Sequence, residues 1–216
     1  MSVLVVDDHR SFAEALGVVF GLESDLRVEI AANGVQAVAI ADRTHPDVVL
    51  MDIEMPGISG METIRRIRSA HPGTRVVVLS SHDDDLTKGE AVAAGAVGFV
   101  SKLAPLEELA VLIRRVGLGE TIIERQESAR LLRVLRRRRH QEATERQRVG
   151  RLTPRQAQIL QMMADGTAPR DIAQELNLSP NTFRTHVQNI LTRLSVHTKG
   201  EAIAVAIRNG KVSGGA

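Results

Sequence analysis

Five polar side chains in this sequence are of types that could carry out phosphate chemistry together: Asp7, Asp8, Asp52, Ser80 and Lys102. Each stands at the end of a short apolar run or directly after it. Three carboxylates in one place repel one another unless a cation lies among them, and an all-oxygen ligand set favours Mg²⁺ over zinc. Asp52 could then attack a phosphoryl group and hold it as an aspartyl phosphate, while the lysine and the hydroxyl bind phosphoryl oxygens.

Each of these residues has a more ordinary explanation when it is taken alone. An Asp-Asp pair after a strand is usually a helix cap. Lys102 alone is more often a solvated lysine, and Ser80 alone a turn residue. The agreement of all five positions with strand ends favours the phosphoryl site, whose metal shell the backbone carbonyl of Glu54 could complete.

Four short apolar runs and one alternating segment, Arg27–Ala31, predict the strands of the sheet that would carry these side chains. They are Val3–Val6, Arg27–Ala31, Val48–Met51, Arg75–Leu79 and Gly98–Val100. A helical pattern follows each run, so that strand-then-helix repeats fill residues 1–118. This alternation predicts an α/β domain of flavodoxin-like type, with a doubly wound, five-stranded parallel sheet. The carboxyl ends of such strands meet at one edge, where ligands bind, so the five polar residues should converge there.

Charge divides the 216-residue chain into two unlike halves. Residues 1–120 hold 18 acidic and 11 basic side chains, a net charge of −7, whereas residues 121–216 hold 8 and 17, a net charge of +9. A basic half suits a polyanion. The aromatic residues are four Phe with no Trp or Tyr, which disfavours binding single-stranded nucleic acid by base stacking. The absence of cysteine excludes disulfides and thiolate metal sites.

Hydropathy and the first residues predict the cellular location. No apolar run approaches the ~20 residues of a membrane span, and the chain leads into its first strand without a signal-peptide pattern. We therefore expect a cytoplasmic protein without a membrane partner.

The basic half carries the signals of a helix-turn-helix unit. Thr153-Pro154 and Ser179-Pro180 each place a capping residue before a proline at the first helical position. On the helix that Pro154 begins, the residues predicted to face inward are Ala157, Leu160 and Met163. The helix that Pro180 begins would present a polar face formed by Asn181, Arg184, Thr185, Gln188 and Thr192. Such side chains bond base edges in the major groove; any surface helix has a polar face, but the net charge and the tight turn before Ser179 favour DNA.

Residues 119–149 are predicted to form a basic, partly helical linker between residues 1–118 and a second domain at residues 150–216. Helical spacing is clear over Glu127–Leu135, and four arginines follow at Arg136–Arg139. This arginine run is either a solvated stretch or an arm that contacts phosphates, and the sequence leaves both interpretations open.

The first domain resembles the receiver domain of bacterial two-component response regulators. The resemblance rests on Asp7-Asp8, Asp52 with Met55-Pro56-Gly57, Ser80, Gly95-Ala96 before Phe99, and Lys102. It implies that a histidine kinase transfers a phosphoryl group to Asp52 and that Mg²⁺ binds the three carboxylates. It also implies that Ser80 and Phe99 form a switch pair, in which the hydroxyl moves toward the phosphoryl group and the ring rotates inward; the alternative for Phe99 is a plain core residue.

One residue and one short run depart from the receiver pattern. Leu103 follows Lys102 where many receivers have Pro. The run His82–Asp85 places three extra acids near the site, and their negative charge should disfavour a dianionic phosphoryl group.

The second domain resembles the LuxR-type domain of the NarL/FixJ subfamily, which joins such a domain to a receiver in this order. The matching residues are Leu152–Arg155, Gly166, Ile172-Ala173, Leu176, Leu178-Ser179, Thr182, His186-Val187, Ile190-Leu191 and Leu194. The resemblance implies four helices, with Ala202–Arg208 as the last and a contributor to dimerisation. The departures from the pattern are Gln156, where an acid is frequent, Pro169, Phe183 and Lys199.

The sequence therefore predicts a DNA-binding response regulator, not an enzyme, that is phosphorylated on Asp52 and controls transcription. The expected partners are a cognate histidine kinase, double-stranded DNA with inverted or direct half-sites, and a second copy of the chain when active. One alternative is a regulator of the same architecture that is switched by a ligand or by concentration without phosphorylation. Another is a phosphatase with Asp52 as nucleophile and Glu54 acting on the leaving group.

Overall fold

A computed structural model describes residues 1–81 and 84–214 of the chain. The chain divides into two compact units, Met1–Arg136 and Arg137–Ala216. One helix, α6 (Arg125–Gly150), contributes its first half to the first unit and its second half to the second. Within the described residues no helix is both long enough and apolar enough to cross a membrane.

The first unit is a parallel sheet with helices on both faces. Its elements are β1 (Ser2–Val6), α1 (Arg10–Gly21), β2 (Arg27–Ala31), α2 (Gly34–Thr44), β3 (Val48–Asp52), α3 (Gly60–Ala70), β4 (Arg75–Ser80), α4 (Asp85–Ala94), β5 (Ala96–Ser101) and α5 (Leu106–Gly117). The strand order is β2-β1-β3-β4-β5, and every pair is parallel. This is the flavodoxin-like order, so the predicted doubly wound fold is confirmed.

The central strand β3 shows why the apolar runs form strands covered on both faces. All five of its residues are buried. Val48 and Leu50 pack in one apolar cluster with residues of α1 and α5, whereas Val49 and Met51 pack in the other with residues of α2, α3 and α4. Successive strand side chains point to opposite faces, so a strand between two helical layers must be apolar at every position.

The strand register aligns the carboxyl ends that carry the polar residues. Val6 pairs with Met51, Asp52 with Leu79, and Ser80 with Ser101. Four strands are longer than their apolar runs: β1 begins at Ser2, β3 ends at Asp52, β4 continues through Ser80, and β5 covers Ala96–Ser101 rather than Gly98–Val100. Backbone pairing with the neighbouring strand extends them, and this pairing does not depend on apolar side chains.

The second unit contains four helices after the end of α6: α7 (Pro154–Ala164), α8 (Pro169–Glu175), α9 (Pro180–Leu194) and α10 (Lys199–Arg208). The predicted capping residues are confirmed, since the Thr153 and Ser179 side chains accept from the backbone N–H groups of Gln156 and Thr182. The last helix starts at Lys199 rather than Ala202, because Thr198 caps it through the backbone N–H of Glu201.

The buried face of α7 includes the predicted Leu160 but extends beyond the predicted residues. Ala157 and Met163 are only half-buried, whereas Gln156, Ile159 and Leu160 are buried. Gln156 is buried because its side chain is part of the N-terminal capping box. In this box, the Gln156 side chain accepts from the backbone N–H of Thr153 and so turns inward. An apolar stripe read from the sequence could not include a polar residue buried in this way.

Candidate phosphoryl site and nucleic-acid interface

The candidate phosphoryl site is built at the carboxyl ends of β1, β3 and β5, of which β1 and β3 are neighbours and β5 is separated from β3 by β4. Asp7 follows β1 and Asp52 ends β3, and both are buried, at 0% and 1% exposure. Lys102 follows β5, and its side chain is 15% exposed. The structure therefore brings together three residues that are far apart in the chain, at the edge where parallel strands place them.

Lys102 lies between the two buried carboxylates. Its Nζ donates to Asp52 Oδ2 at 2.7 Å and lies 2.8 Å from Asp7 Oδ2. The remaining oxygens face the backbone: Asp52 Oδ1 accepts from Glu54 N at 3.0 Å, and Asp7 Oδ1 accepts from His9 N at 2.8 Å. The ammonium group of Lys102 thus holds both carboxylates in fixed positions at the carboxyl edge of the sheet.

Burial and pairing shift the acid–base properties of both groups. Burial raises the pKa of Asp52, and the hydrogen bonds from Lys102 and from the Glu54 backbone only partly oppose this shift. Burial by itself lowers the pKa of Lys102, but hydrogen bonds to Asp52 and Asp7 outweigh it, so the net direction is upward. The lysine faces two carboxylates, whereas Asp52 faces one lysine and the like charge of Asp7.

The carboxylates fit a hard cation. Asp7, Asp8 and Asp52 each offer an oxygen within 4.8 Å of the others, and a ring nitrogen of His9 lies within the same distance. Within the described residues, the buried Asp8 Oδ1 has no hydrogen-bond partner, although His9 Nδ1 lies 3.1 Å away. A buried carboxylate oxygen without a partner is costly, and a bound cation would satisfy it. Sequence reasoning missed His9, whose place directly after Asp7-Asp8 was the available signal.

Ser80 and Phe99 lie on adjacent strands and line one cavity. Phe99 pairs with Val78 on β4, two residues before Ser80. The cavity, of about 330 Å³, is also lined by Ile53, which follows Asp52, and by Lys88, whose Nζ is 6.0 Å from the centroid of the Phe99 ring. The structure thus places both residues of the predicted switch pair beside an open volume next to the β3 end.

The acidic run after β4 is partly engaged elsewhere. His82 and Asp83 lie outside the described residues. Asp84 caps α4 by accepting from the backbone N–H groups of Leu86 and Thr87, and Asp85 forms a two-bond ion pair with Arg130 of α6. Two of the three extra acids in this run therefore have partners of their own.

Comparison with known proteins finds relatives that cover both units of the chain. A family model described as the response regulator receiver domain matches residues 3–114, and one described as bacterial regulatory proteins of the luxR family matches residues 150–206. The transcriptional regulatory protein YxjL of Bacillus subtilis is 36% identical over 211 residues, covering 97% of this chain and 96% of its own. The chain belongs to the LuxR-family response regulators.

Two further relatives extend over both units. The nitrate/nitrite response regulator NarL of Escherichia coli is 30% identical, with 93% of this chain and 92% of NarL covered. The crystal structure of the response regulator ChrA of a heme-sensing two-component system matches with a TM-score of 0.51 and 28% identity, over 97% of this chain and 98% of that one. This regulator is thus a DNA-binding, two-component protein of a family of transcriptional regulators.

The regulator presents its predicted DNA-reading face on α9. The five residues of that face are all exposed: Asn181, Arg184, Thr185, Gln188 and Thr192. The opposite side of α9 is buried through Phe183, Val187, Ile190 and Leu194, while Leu191 is half-buried. Thr185 Oγ1 donates to the backbone carbonyl of Asn181 at 3.0 Å, so its hydroxyl proton is already used within the helix.

Further arginines surround this face, and they differ in what they contact. Arg170 and Lys199 line an open groove of about 610 Å³ together with Arg184. Arg193 instead donates to the carbonyl of Arg151 and to Gln156 Oε1, which makes it a structural residue. Sequence reasoning missed Arg170, because its nearness to Arg184 depends on how α8 and α9 pack.

Proposed function

We propose that Asp52 is the phosphoacceptor of this regulator and that a histidine kinase phosphorylates it to control transcription. The observation that carries the proposal is the placement of Asp52, buried at the end of β3 and fixed through both oxygens by Lys102 and the Glu54 backbone. This arrangement fits a nucleophile that must meet a phosphoryl group from one direction.

The transfer exchanges one bond for another. A carboxylate oxygen of Asp52 forms a bond to phosphorus while the P–N bond of the donor phosphohistidine breaks. The kinase imidazole leaves with the electron pair of that bond and takes a proton from water. Lys102 lies 2.7 Å from Asp52 Oδ2. It would turn toward a phosphoryl oxygen as charge moves onto that oxygen. The Ser80 hydroxyl would donate a hydrogen bond to a second phosphoryl oxygen.

Mg²⁺ is the cofactor proposed for this step. Asp7, Asp8 and Asp52 would hold it, with the backbone carbonyl of Glu54 as a further ligand, and it would neutralise phosphoryl oxygens during transfer. The unsatisfied, buried Asp8 oxygen supports this assignment. His9 would lie at the rim of the metal shell, because an oxygen-preferring ion is held first by the carboxylates.

Ser80 and Phe99 are proposed as the switch that reports the phosphoryl group. The cavity that both residues line gives the Phe99 ring room to rotate when the Ser80 hydroxyl moves toward Asp52. The ring is half-buried in this state. Movement of Ser80 and Phe99 would alter the contacts of α4 directly, since Thr87 and Lys88 of α4 line the same cavity.

The output is proposed to be promoter binding by a dimer in the cytoplasm. Arg184, Thr185 and Gln188 would read base edges in the major groove, with Asn181 and Thr192 at the ends of the contact. Dimers on inverted or direct half-sites, with α10 contributing to the dimer contact, would follow phosphorylation. We further infer that the chain is a regulator and not an enzyme that turns over phosphate esters.

Phosphorylation by a small-molecule phosphodonor in the presence of Mg²⁺ tests this proposal. Intact-protein mass spectrometry should show one added phosphoryl group on the full chain. Asp52→Asn should abolish it, whereas Asp47→Asn, an exposed acid at the other end of β3, should leave it unchanged. Label that persists in Asp52→Asn would assign the acceptor elsewhere. An unlabelled wild-type chain that still binds its promoter would favour switching by ligand or concentration.

A further inference from the structure

A second cluster of titratable side chains lies at the edge of the sheet opposite the phosphoryl site. It consists of Asp42, His45 and His71. His45 directly follows α2 and His71 directly follows α3, so both stand just before the amino ends of the next strands, β3 and β4. Both histidines also directly precede a proline, which ends each helix. Nothing in the phosphoryl site requires this cluster.

The three side chains form a chain of short contacts. His71 Nε2 lies 2.7 Å from Asp42 Oδ1, and His71 Nδ1 lies 3.1 Å from His45 Nδ1. Since the carboxylate can only accept, the Nε2 of a neutral His71 carries the proton and its Nδ1 presents a lone pair. That lone pair points at the Nδ1 atom of His45, and the two rings are nearly edge to face, at 67°.

The backbone around the two histidines is fixed by hydrogen bonds between their loops. The buried Thr74 Oγ1 donates to the Pro46 carbonyl at 2.8 Å, and Arg75 N donates to the Asp47 carbonyl at 2.9 Å. His71 is largely buried, with 15% side-chain exposure, whereas His45 is exposed. The side chain of His71 is therefore held in place by its surroundings, whereas that of His45 is open to solvent. An ion could reach the pair from the exposed side.

We propose that His45 and His71 bind one divalent transition-metal ion of the zinc type through their Nδ1 atoms. Tetrahedral zinc with Zn–N bonds of about 2.0–2.1 Å separates two imidazole nitrogens by roughly 3.3 Å, close to the 3.1 Å observed. Water fills the remaining coordination positions on the exposed side. Asp42 acts as a positioning residue: a carboxylate on the second nitrogen of a metal-bound histidine fixes its tautomer and raises its basicity.

Metal binding at this pair requires a change in the tautomer of His45. In the metal-free protein, the His45 Nδ1–H can donate to His71 Nδ1; for binding, that proton passes through solvent to His45 Nε2. Both Nδ1 lone pairs then face the ion. The consequence is a link between the ends of α2 and α3, which stabilises the receiver unit increasingly as the free metal concentration rises above the dissociation constant.

His45 allows a test in which loss of folding cannot explain loss of metal. Its φ of 48° lies in the left-handed region, which favours glycine. His45→Gly therefore removes a ligand while easing the backbone, and it should fold at least as well as the wild-type chain. His71→Gln removes the other ligand, and His140→Gln in α6 is the matched control.

The experiment titrates zinc into the tag-free full chain against a chromophoric chelator, with excess Mg²⁺ to occupy the carboxylate site. The wild-type chain and His140→Gln should bind one zinc ion, and zinc should raise their melting temperature. His45→Gly and His71→Gln should lose at least tenfold in affinity, and Asp42→Asn about tenfold. Asp8→Asn should bind as wild type does. Wild-type affinity in both His45→Gly and His71→Gln, or loss of zinc in Asp8→Asn, would overturn the proposal.

Discussion

Lys102 decides the charge balance of the phosphoryl site at the level of single residues. It is paired with Asp52 and Asp7, both almost wholly buried. Removing one partner of a buried ion pair leaves an uncompensated charge in a medium that solvates it poorly. Here one cation serves two anions, so losing Lys102 leaves two buried carboxylates without their cation.

Lys102→Met should therefore lower the free energy of unfolding by about 3 kcal/mol, since methionine keeps the chain length but not the charge. Asp52→Asn should raise the free energy of unfolding instead. Burial raises the pKa of Asp52, so its charged form destabilises the fold at neutral pH, and neutralising it removes that penalty. Denaturant unfolding in a metal chelator measures both variants. A Lys102→Met variant as stable as the wild type would show that the site is solvated.

At the level of elements, a glycine allows α4 and α6 to pack closely. A Cβ atom built on Gly89 would lie 2.8 Å from the carbonyl oxygen of Leu131 and 3.3 Å from Leu135 Cβ. Both leucines are buried, and Arg130 beside them pairs with Asp85 at 2.5 and 2.6 Å. The pair is partly exposed and adds little stability, but it fixes the position of the first half of α6.

Gly89→Ala should loosen this packing, because the added methyl group meets backbone that cannot move without shifting the helix. The expected cost is about 1–3 kcal/mol. Hydrogen exchange should show faster exchange in residues 125–136 than in the wild-type chain. Gly21→Ala, at the end of α1 with nothing within 4 Å of the added atom, is the control and should be neutral or stabilising. Equal exchange in both variants would contradict the close contact.

The DNA-reading helix gives a second prediction at this level. Arg184→Ala should relax base preference at one position of each half-site and cost ~1–3 kcal/mol on the preferred sequence. Arg170→Ala should instead weaken binding to all sequences about equally and reduce the salt dependence by roughly one phosphate contact. Binding assays over a set of altered sites at several salt concentrations separate the two. Equal loss from Arg184→Ala on every sequence would make it a phosphate contact.

At the scale of the whole molecule, the two compact units have opposite charge. Met1–Arg136 holds 20 acidic and 15 basic residues, a net charge of −5, and Arg137–Ala216 holds 6 and 13, a net charge of +7. Opposite charges on one chain attract, although physiological salt screens the attraction over ~8 Å. We therefore expect the acidic unit to compete with DNA for the basic one, and we expect phosphorylation to act by weakening or strengthening that competition.

Residues 137–216 alone should accordingly bind promoter DNA more tightly than the unphosphorylated full chain. Cutting at residue 137 rather than 118 leaves Leu131 and Leu135 with the unit in which they are buried. Titration of both proteins on one labelled duplex measures the difference. If the shorter protein binds more weakly, the first unit promotes binding, as expected of a dimerisation device rather than an inhibitor.

The sequence by itself determined the architecture and the convergence of the main residues of the proposed phosphoryl site. Strands covered on both faces must be apolar throughout, and parallel strands bring their carboxyl ends to one edge. Asp7, Asp52 and Lys102 could therefore be placed together without knowing any side-chain conformation. The caps Thr153 and Ser179 were predictable because capping involves residues only a few positions apart.

Only the tertiary structure decided which polar groups meet across elements. The contacts of Gln156 with Arg193, of Gly89 with Leu131, and of His45 with His71 join residues on different helices or loops. Their side chains meet because of helix crossing geometry and rotamer choice, which no local pattern of apolar residues encodes. Hydrophobic periodicity reports which face of an element is buried, whereas the partner that a buried polar group meets depends on packing between elements.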